Sequence, residues 1–119
     1  MTRGNRRHTA WHVAAGDQRC LFMPRAPAVL VTGGHGEPPV DHLFDGQEHI
    51  EIPVERHDVA ATHGAGCTHS ATLAALLALG EPLVSAARGA AAAASRAVEH
   101  GLVEIGSGEG PVDVLETKR

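Results

Sequence analysis

Aromatic side chains are nearly missing from this chain: 119 residues include no tyrosine, one tryptophan and two phenylalanines. Single-stranded nucleic acid is held on stacked aromatic rings, so this composition argues against that partner. Positive charge is short as well. Ten Lys and Arg against fourteen Asp and Glu leave a formal net charge of −4, which supplies no field for a polyanion or an anionic membrane surface. There are two cysteines, Cys20 and Cys67, far apart and in no Cys-x-x-Cys arrangement, so a disulfide framework is not expected. No apolar run is long enough for a membrane span, and nothing reads as a secretory h-region. These absences point to a small-molecule partner and a reducing cytoplasm.

What is present is alanine and glycine, the latter at 14 residues, a composition suited to close packing of helices on a sheet around a ligand. The length allows one domain that buries roughly 65% of its unfolded surface. Residues 1–24 carry Arg3, Arg6, Arg7, His8, His12 and Arg19 without a sustained period of 2 or 3.6, and are read as a poorly ordered, unrelated leader. Pro24 and Pro27 then introduce Ala28-Val29-Leu30-Val31-Thr32, a short apolar run expected as a strand buried on both faces and ended by Gly33 and Gly34. Asp45-Gly46 signals a two-residue hairpin turn between residues 40–44 and 47–54. That turn puts Leu43 on one face with Ile50, Ile52 and Val54, and His42, His49 and Glu51 on the other. Asp41, Glu48, Glu51 and Glu55 read as a solvated face, and Pro53 suits an edge strand.

The most informative stretch is Thr62-His63-Gly64-Ala65-Gly66-Cys67-Thr68-His69-Ser70, which runs into helix-forming Ala71-Thr72-Leu73-Ala74-Ala75-Leu76-Leu77. Two glycines separated by one small residue, then a helix, make a loop whose N–H groups can converge on an anion with the helix dipole behind them. Cys67 falls in the first turn, where the positive end of the dipole favours thiolate over thiol. Leu73, Leu76 and Leu77 mark one face of this helix and Gly80 ends it. Pro82 opens a second helix with a small-sided stripe of Leu83, Ala87, Ala90, Ala94 and Ala97. Arg96 and His100 complement its C-terminal dipole and Gly101 stops it. Residues 106–115 read as a glycine-rich loop followed by a short final strand.

Four ordered landmarks carry a family resemblance: Val29-Leu30-Val31-Thr32-Gly33-Gly34-His35, the acidic hairpin, Thr62-His63-Gly64-Ala65-Gly66-Cys67-Thr68, and Gly110-Pro111-Val112. Together, over residues 25–116, they resemble the C-terminal part of hydroxymethylpyrimidine and phosphomethylpyrimidine kinases, thiamine-biosynthesis enzymes of the ribokinase-like superfamily. The resemblance implies an α/β, three-layer, ribokinase-like fold with a mostly parallel central sheet, of which only the C-terminal portion is present. That portion comprises a buried strand, a β-hairpin, the glycine loop and two packed helices, with residues 117–119 as a tail. It also implies transfer of the γ-phosphoryl group of ATP, with Mg2+, to a small pyrimidine acceptor. By that analogy the N–H groups of Gly64, Ala65, Gly66 and Cys67 form the anion hole, Cys67 takes the acceptor proton, and Thr32 and Gly34 border the nucleotide.

Two departures shape this expectation. Thr32 stands where many members carry a lysine that reaches the ATP phosphates, which points to reduced activity or a variant subgroup. A complete member is more than twice as long, and the Asn-x-x-Glu magnesium motif of the missing half is not found here, so the chain reads as a fragment with little activity alone. A non-catalytic nucleotide-binding or interaction module is the alternative, docking against a complementary N-terminal half or assembling as a homo-oligomer. A pyridoxal-type kinase relative is another alternative, because the acceptor pocket is absent. Cys67 also admits a plain structural role, or cysteine hydrolase chemistry if His63 or His69 is held against it. The nine histidines show no His-x-x-x-His or mixed Cys/His spacing, so no metal site is expected from the sequence.

Overall fold

A computed structural model describes residues 26–117; the expected leader lies outside the described residues. The chain divides after Pro53 into two compact units. The first holds three strands, β1 (Val29–Val31), β2 (Val40–Phe44) and β3 (His49–Pro53), in the order β1-β2-β3. Both pairings are antiparallel. The local reason is loop length: residues 32–39 join β1 to β2, and a parallel crossover needs a dozen or more residues. With β2 as its one neighbour among the described residues, β1 is a half-buried edge strand and not the doubly buried strand expected from its apolar run.

The hairpin differs from expectation in its turn but not in its faces. Asp45 N–H donates to the Glu48 carbonyl at 3.1 Å, while Asp45 Oδ1 accepts the N–H groups of Gln47 and Glu48 at 2.8 and 2.7 Å. The reversal therefore occupies residues 45–48, and Phe44 pairs with His49, Leu43 with Ile50 and His42 with Glu51. Lengthening the turn by two residues shifts the register by two and preserves side-chain parity, since strands alternate with period 2. Leu43 and Ile52 are buried as expected. Asp41 is not solvated: it is 2% exposed, and its Oδ1 accepts the Gly33 N–H at 2.9 Å.

In the second unit, α1 (Ala65–Ala78) packs against α2 (Leu83–Glu99). Helix α1 ends where Gly80 N–H reaches the Leu77 carbonyl and Glu81 N–H reaches that of Leu76, both at 3.0 Å, the paired bonds of a Schellman cap. Ala86, Ala87, Ala90, Ala91 and Ala97 form the buried stripe of α2, and Gly89 has no Cβ where the Leu76 side chain crosses. The α1 leucines depart from expectation. Leu73 and Leu76 are half-buried, but Leu77 is exposed and Leu79, just past the helix, is 81% exposed.

The expected final strand does not form. Residues 110–113 instead run as a clasp: Gly110 N–H donates to Ala60 (3.1 Å), His63 N–H to Gly110 (3.2 Å), Val112 N–H to His63 (3.0 Å), and Asp113 N–H to Ala97 (2.9 Å). The Pro111 carbonyl also accepts the Leu102 N–H at 2.9 Å, so three segments are tied by four residues. Pro111 lacks the N–H that a regular ladder would need, which limits the pairing to a single parallel bridge with His63.

A Cβ on buried Gly110 would overlap the Leu102 carbonyl oxygen, whereas Gly108 faces open space. Gly110→Ala is therefore expected to cost about 1–3 kcal/mol by urea unfolding, and Gly108→Ala to leave the midpoint nearly unchanged. The Glu48 and Gln47 N–H groups hold the Asp45 carboxyl below its ordinary 3.8. A depressed value means its contribution is full above the ordinary carboxylate value and lost as pH falls through the lower folded one. Amide resonances of Gln47 and Glu48 should titrate in that acidic window in the native chain and not in Asp45→Ala.

Candidate functional site

The clasp fixes His63 from both sides, through its N–H and its carbonyl, and the chain then turns at Gly64 with φ 92° and ψ 0°. That left-handed conformation starts α1 immediately, several residues earlier than the alanine-leucine run alone indicates, so Cys67 is the third residue of the helix. Thr68 closes the turn by donating both its N–H and its Oγ1 hydroxyl to the Gly64 carbonyl, each at 2.9 Å.

This helix start has no side chain capping it and no acid in its first turn. Helix geometry leaves the leading N–H groups without intrahelical carbonyls. One of the four expected donors is engaged locally: Ala65 N–H bonds the Thr62 carbonyl at 3.1 Å. The donors available to an anion are therefore Gly64, Gly66 and Cys67, with the positive end of the dipole uncompensated behind them. Gly66 is exposed and the place of its missing Cβ is open space, so a bulky anion can approach the backbone there. The Cys67 thiol is free and exposed, which removes the reading of a buried structural cysteine.

The histidines flanking the loop do not assemble with Cys67. His69 is buried at 5% exposure, and residues two apart on a helix point to different faces; His63 is exposed. Neither is hydrogen-bonded to the thiol, so nothing among the described residues favours the hydrolase alternative. Thr32 and Gly34 belong to the first unit, after β1, where both are exposed, and a Cβ on Gly34 would meet nothing within 4 Å. Among the described residues one group of three possible metal ligands is close together, His42, His49 and Glu51 on the hairpin, and no comparable group surrounds the glycine loop. The residues at the loop thus fit a phosphoryl anion.

Sequence reasoning missed Asp41 and Asp113. Asp41 sits two residues before Leu43, a parity signal for the core face that its charge obscured. Asp113 is buried and accepts the Thr117 hydroxyl at 3.1 Å; nothing in the local pattern marks it.

Comparison with known proteins gives these observations a class and then a family. Pyridoxal kinase from Staphylococcus aureus superposes with a TM-score of 0.70 at 30% identity, over 79% of this chain and 35% of that one. The ADP complex of Bacillus subtilis pyridoxal kinase gives 0.67 at 34% identity, over 74% and 34%. The fold is that of the C-terminal portion of a ribokinase-like kinase. The phosphomethylpyrimidine kinase family model matches residues 9–113, a span that starts within the segment read as a leader. The chain belongs to the phosphomethylpyrimidine kinase family. Similar relatives include the hydroxymethylpyrimidine/phosphomethylpyrimidine kinases of Rhizobium meliloti, 44% identical over 77% of this chain and 36% of the relative, and of Bacillus subtilis, 39% identical over 83% and 37%. The chain spans about a third of the length of these relatives.

The turn at Gly64 generates a direct test. An alanine there is strained at φ +92° and its Cβ would lie 3.5 Å from Val112 Cγ2. Gly64→Ala is expected to lose about 1 kcal/mol in chemical denaturation, with amide shift changes concentrated at Gly66, Cys67 and Thr68.

Proposed function

We propose that this chain is the phosphate-binding part of an ATP-dependent hydroxymethylpyrimidine or phosphomethylpyrimidine kinase of thiamine biosynthesis, with little activity alone. The observation that carries the reading is the uncapped, acid-free start of α1, with the exposed Cys67 in its first turn. The acceptor oxygen attacks the γ-phosphorus as its proton passes to Cys67 Sγ, and the bond from that phosphorus to the ADP oxygen breaks. The N–H groups of Gly64, Gly66 and Cys67 stabilise the charge on the transferred phosphoryl group, each such donor being worth on the order of a hundredfold in rate. Thr32 and Gly34 border the nucleotide. Magnesium would arrive with ATP, held by acids outside the loop. Residues 25–116 make up the kinase portion, and the protein is read as cytoplasmic.

Support for nucleotide binding comes from structural neighbours solved with ADP, with AMP-PCP and with AMP-PCP plus pyridoxal. The same neighbours keep a pyridoxal-type acceptor as a variant of this reading. A second reading, a nucleotide-binding module that docks a complementary N-terminal half or a second copy, is favoured by the exposed Leu77 and Leu79 and by the edge position of β1. Elution as a monomer at all concentrations in gel filtration, with no binding of a hydrophobic dye, counts against it.

The test joins residues 25–116 to the N-terminal part of the Bacillus subtilis relative and measures turnover. Cys67→Ala should lower kcat by about 10² to 10⁴-fold, with Cys67→Asp retaining more activity because a carboxylate still accepts a proton. Unchanged turnover in both variants removes Cys67 as the base. Rapid phosphorylation of hydroxymethylpyrimidine by the isolated chain contradicts the fragment reading.

A further inference from the structure

We propose that His42, His49 and Glu51 form a zinc-binding site on the β2–β3 hairpin. It lies in the first unit and does not rest on the kinase reading. The hairpin register places Glu51 directly across from His42, with His49 across from Phe44, so the three side chains leave the same face as one direct and one diagonal neighbour. His42 Nδ1 lies 2.9 Å from His49 Nε2 and 4.0 Å from Glu51 Oε1, and one ligand atom from each residue lies within 4.8 Å of the other two. The two imidazoles meet edge to edge through these nitrogens, with ring centroids 5.0 Å apart and planes inclined by 21°.

A tetrahedral zinc with bonds of about 2.0–2.1 Å places its donors about 3.3 Å apart. The nitrogen pair therefore has to open by about 0.4 Å and the carboxylate to close by no more than about 1.5 Å. The Glu51 side chain is 61% exposed and His49 is exposed, so both can make that adjustment by rotation, while the His42 side chain, 14% exposed, is held by the strand. One nitrogen, His42 Nδ1, is the near neighbour of both other groups. One proton shared between the imidazoles at 2.9 Å leaves Glu51 Oε1 outside hydrogen-bond reach at 4.0 Å, whereas a cation in place of that proton engages all three groups. Two imidazoles and one carboxylate select a borderline metal of the zinc type over Mg2+ or Ca2+, which prefer oxygen donors. The fourth position faces solvent and takes water. Bound there, the metal ties the hairpin strands together across their exposed face.

The experiment is calorimetric titration of the whole chain with zinc chloride, read together with histidine ring 15N shifts. One zinc per chain is expected, with His42 Nδ1 and His49 Nε2 shifting and the rings of His57 and His100 unchanged. Glu51→Gln, which alters one exposed group, should weaken binding at least about tenfold, and His42→Gln with His49→Gln should abolish it. The amide spectrum of the hairpin reports whether each variant keeps its fold. Absence of binding at millimolar zinc, or binding of undiminished affinity in both Glu51→Gln and the double histidine variant, overturns the proposal.

Discussion

The hydrogen-bonded clasp of residues 110–113 on residues 60–63 is the constraint on which the second unit depends. Gly110 and Val112 bracket His63 through its N–H and its carbonyl, and Asp113 reaches the last turns of α2 through Ala97. Because Gly110 packs where no Cβ fits, the clasp sits close enough to hold the segment feeding Gly64. The orientation of the α1 start therefore comes from a segment more than forty residues away in sequence. Gly66 and Cys67 at that start are exposed, and a helix end with so little packing of its own would otherwise fray.

The site is legible as chemistry for a simple reason: two ordinary means of quieting a helix N-terminus are missing. There is no capping side chain and no acid in the first turn, although Asp and Glu outnumber Lys and Arg in the chain as a whole. A helix that leaves its positive end uncompensated loses about 0.3–1 kcal/mol of available stabilisation, a cost that an anionic ligand offsets. The apolar side chains beyond the site tell a related story. Leu77 and Leu79 are solvent-facing on and just past the helix, and the chain spans about a third of its relatives. No helix among the described residues is long and apolar enough to cross a membrane.

Features with a local cause are legible in the sequence. Gly80 and Gly101 end helices because the chain must turn out of the α region there, the alanine stripe of α2 follows from period 3.6, and hairpin parity survives even a change of turn length. The motif 64–67 is visible because glycine spacing and a following helix are contiguous in sequence. What does not show depends on partners distant in the chain. The burial of Asp41 needs Gly33 to offer its N–H, the final strand is replaced by a clasp because its partner is an irregular segment, and β1 lies at an edge because, among the described residues, only β2 adjoins it. The engagement of Ala65 by Thr62 narrows the donor set by one, a detail of turn geometry that residue types do not reveal. The histidine-glutamate cluster has no linear signature, since its ligands come from two strands with a spacing set by the four-residue reversal.

The central claim is that the N–H groups at the start of α1 receive the phosphates of a nucleotide. A titration of the 15N-labelled chain with AMP-PCP, which keeps the γ-phosphoryl group, followed by amide shifts, tests it most directly. Saturable downfield shifts are expected at Gly64, Gly66 and Cys67, larger than those at Ala65, whose N–H already has a partner. Saturable binding that leaves these three amides unmoved, or no binding at millimolar AMP-PCP, would contradict it.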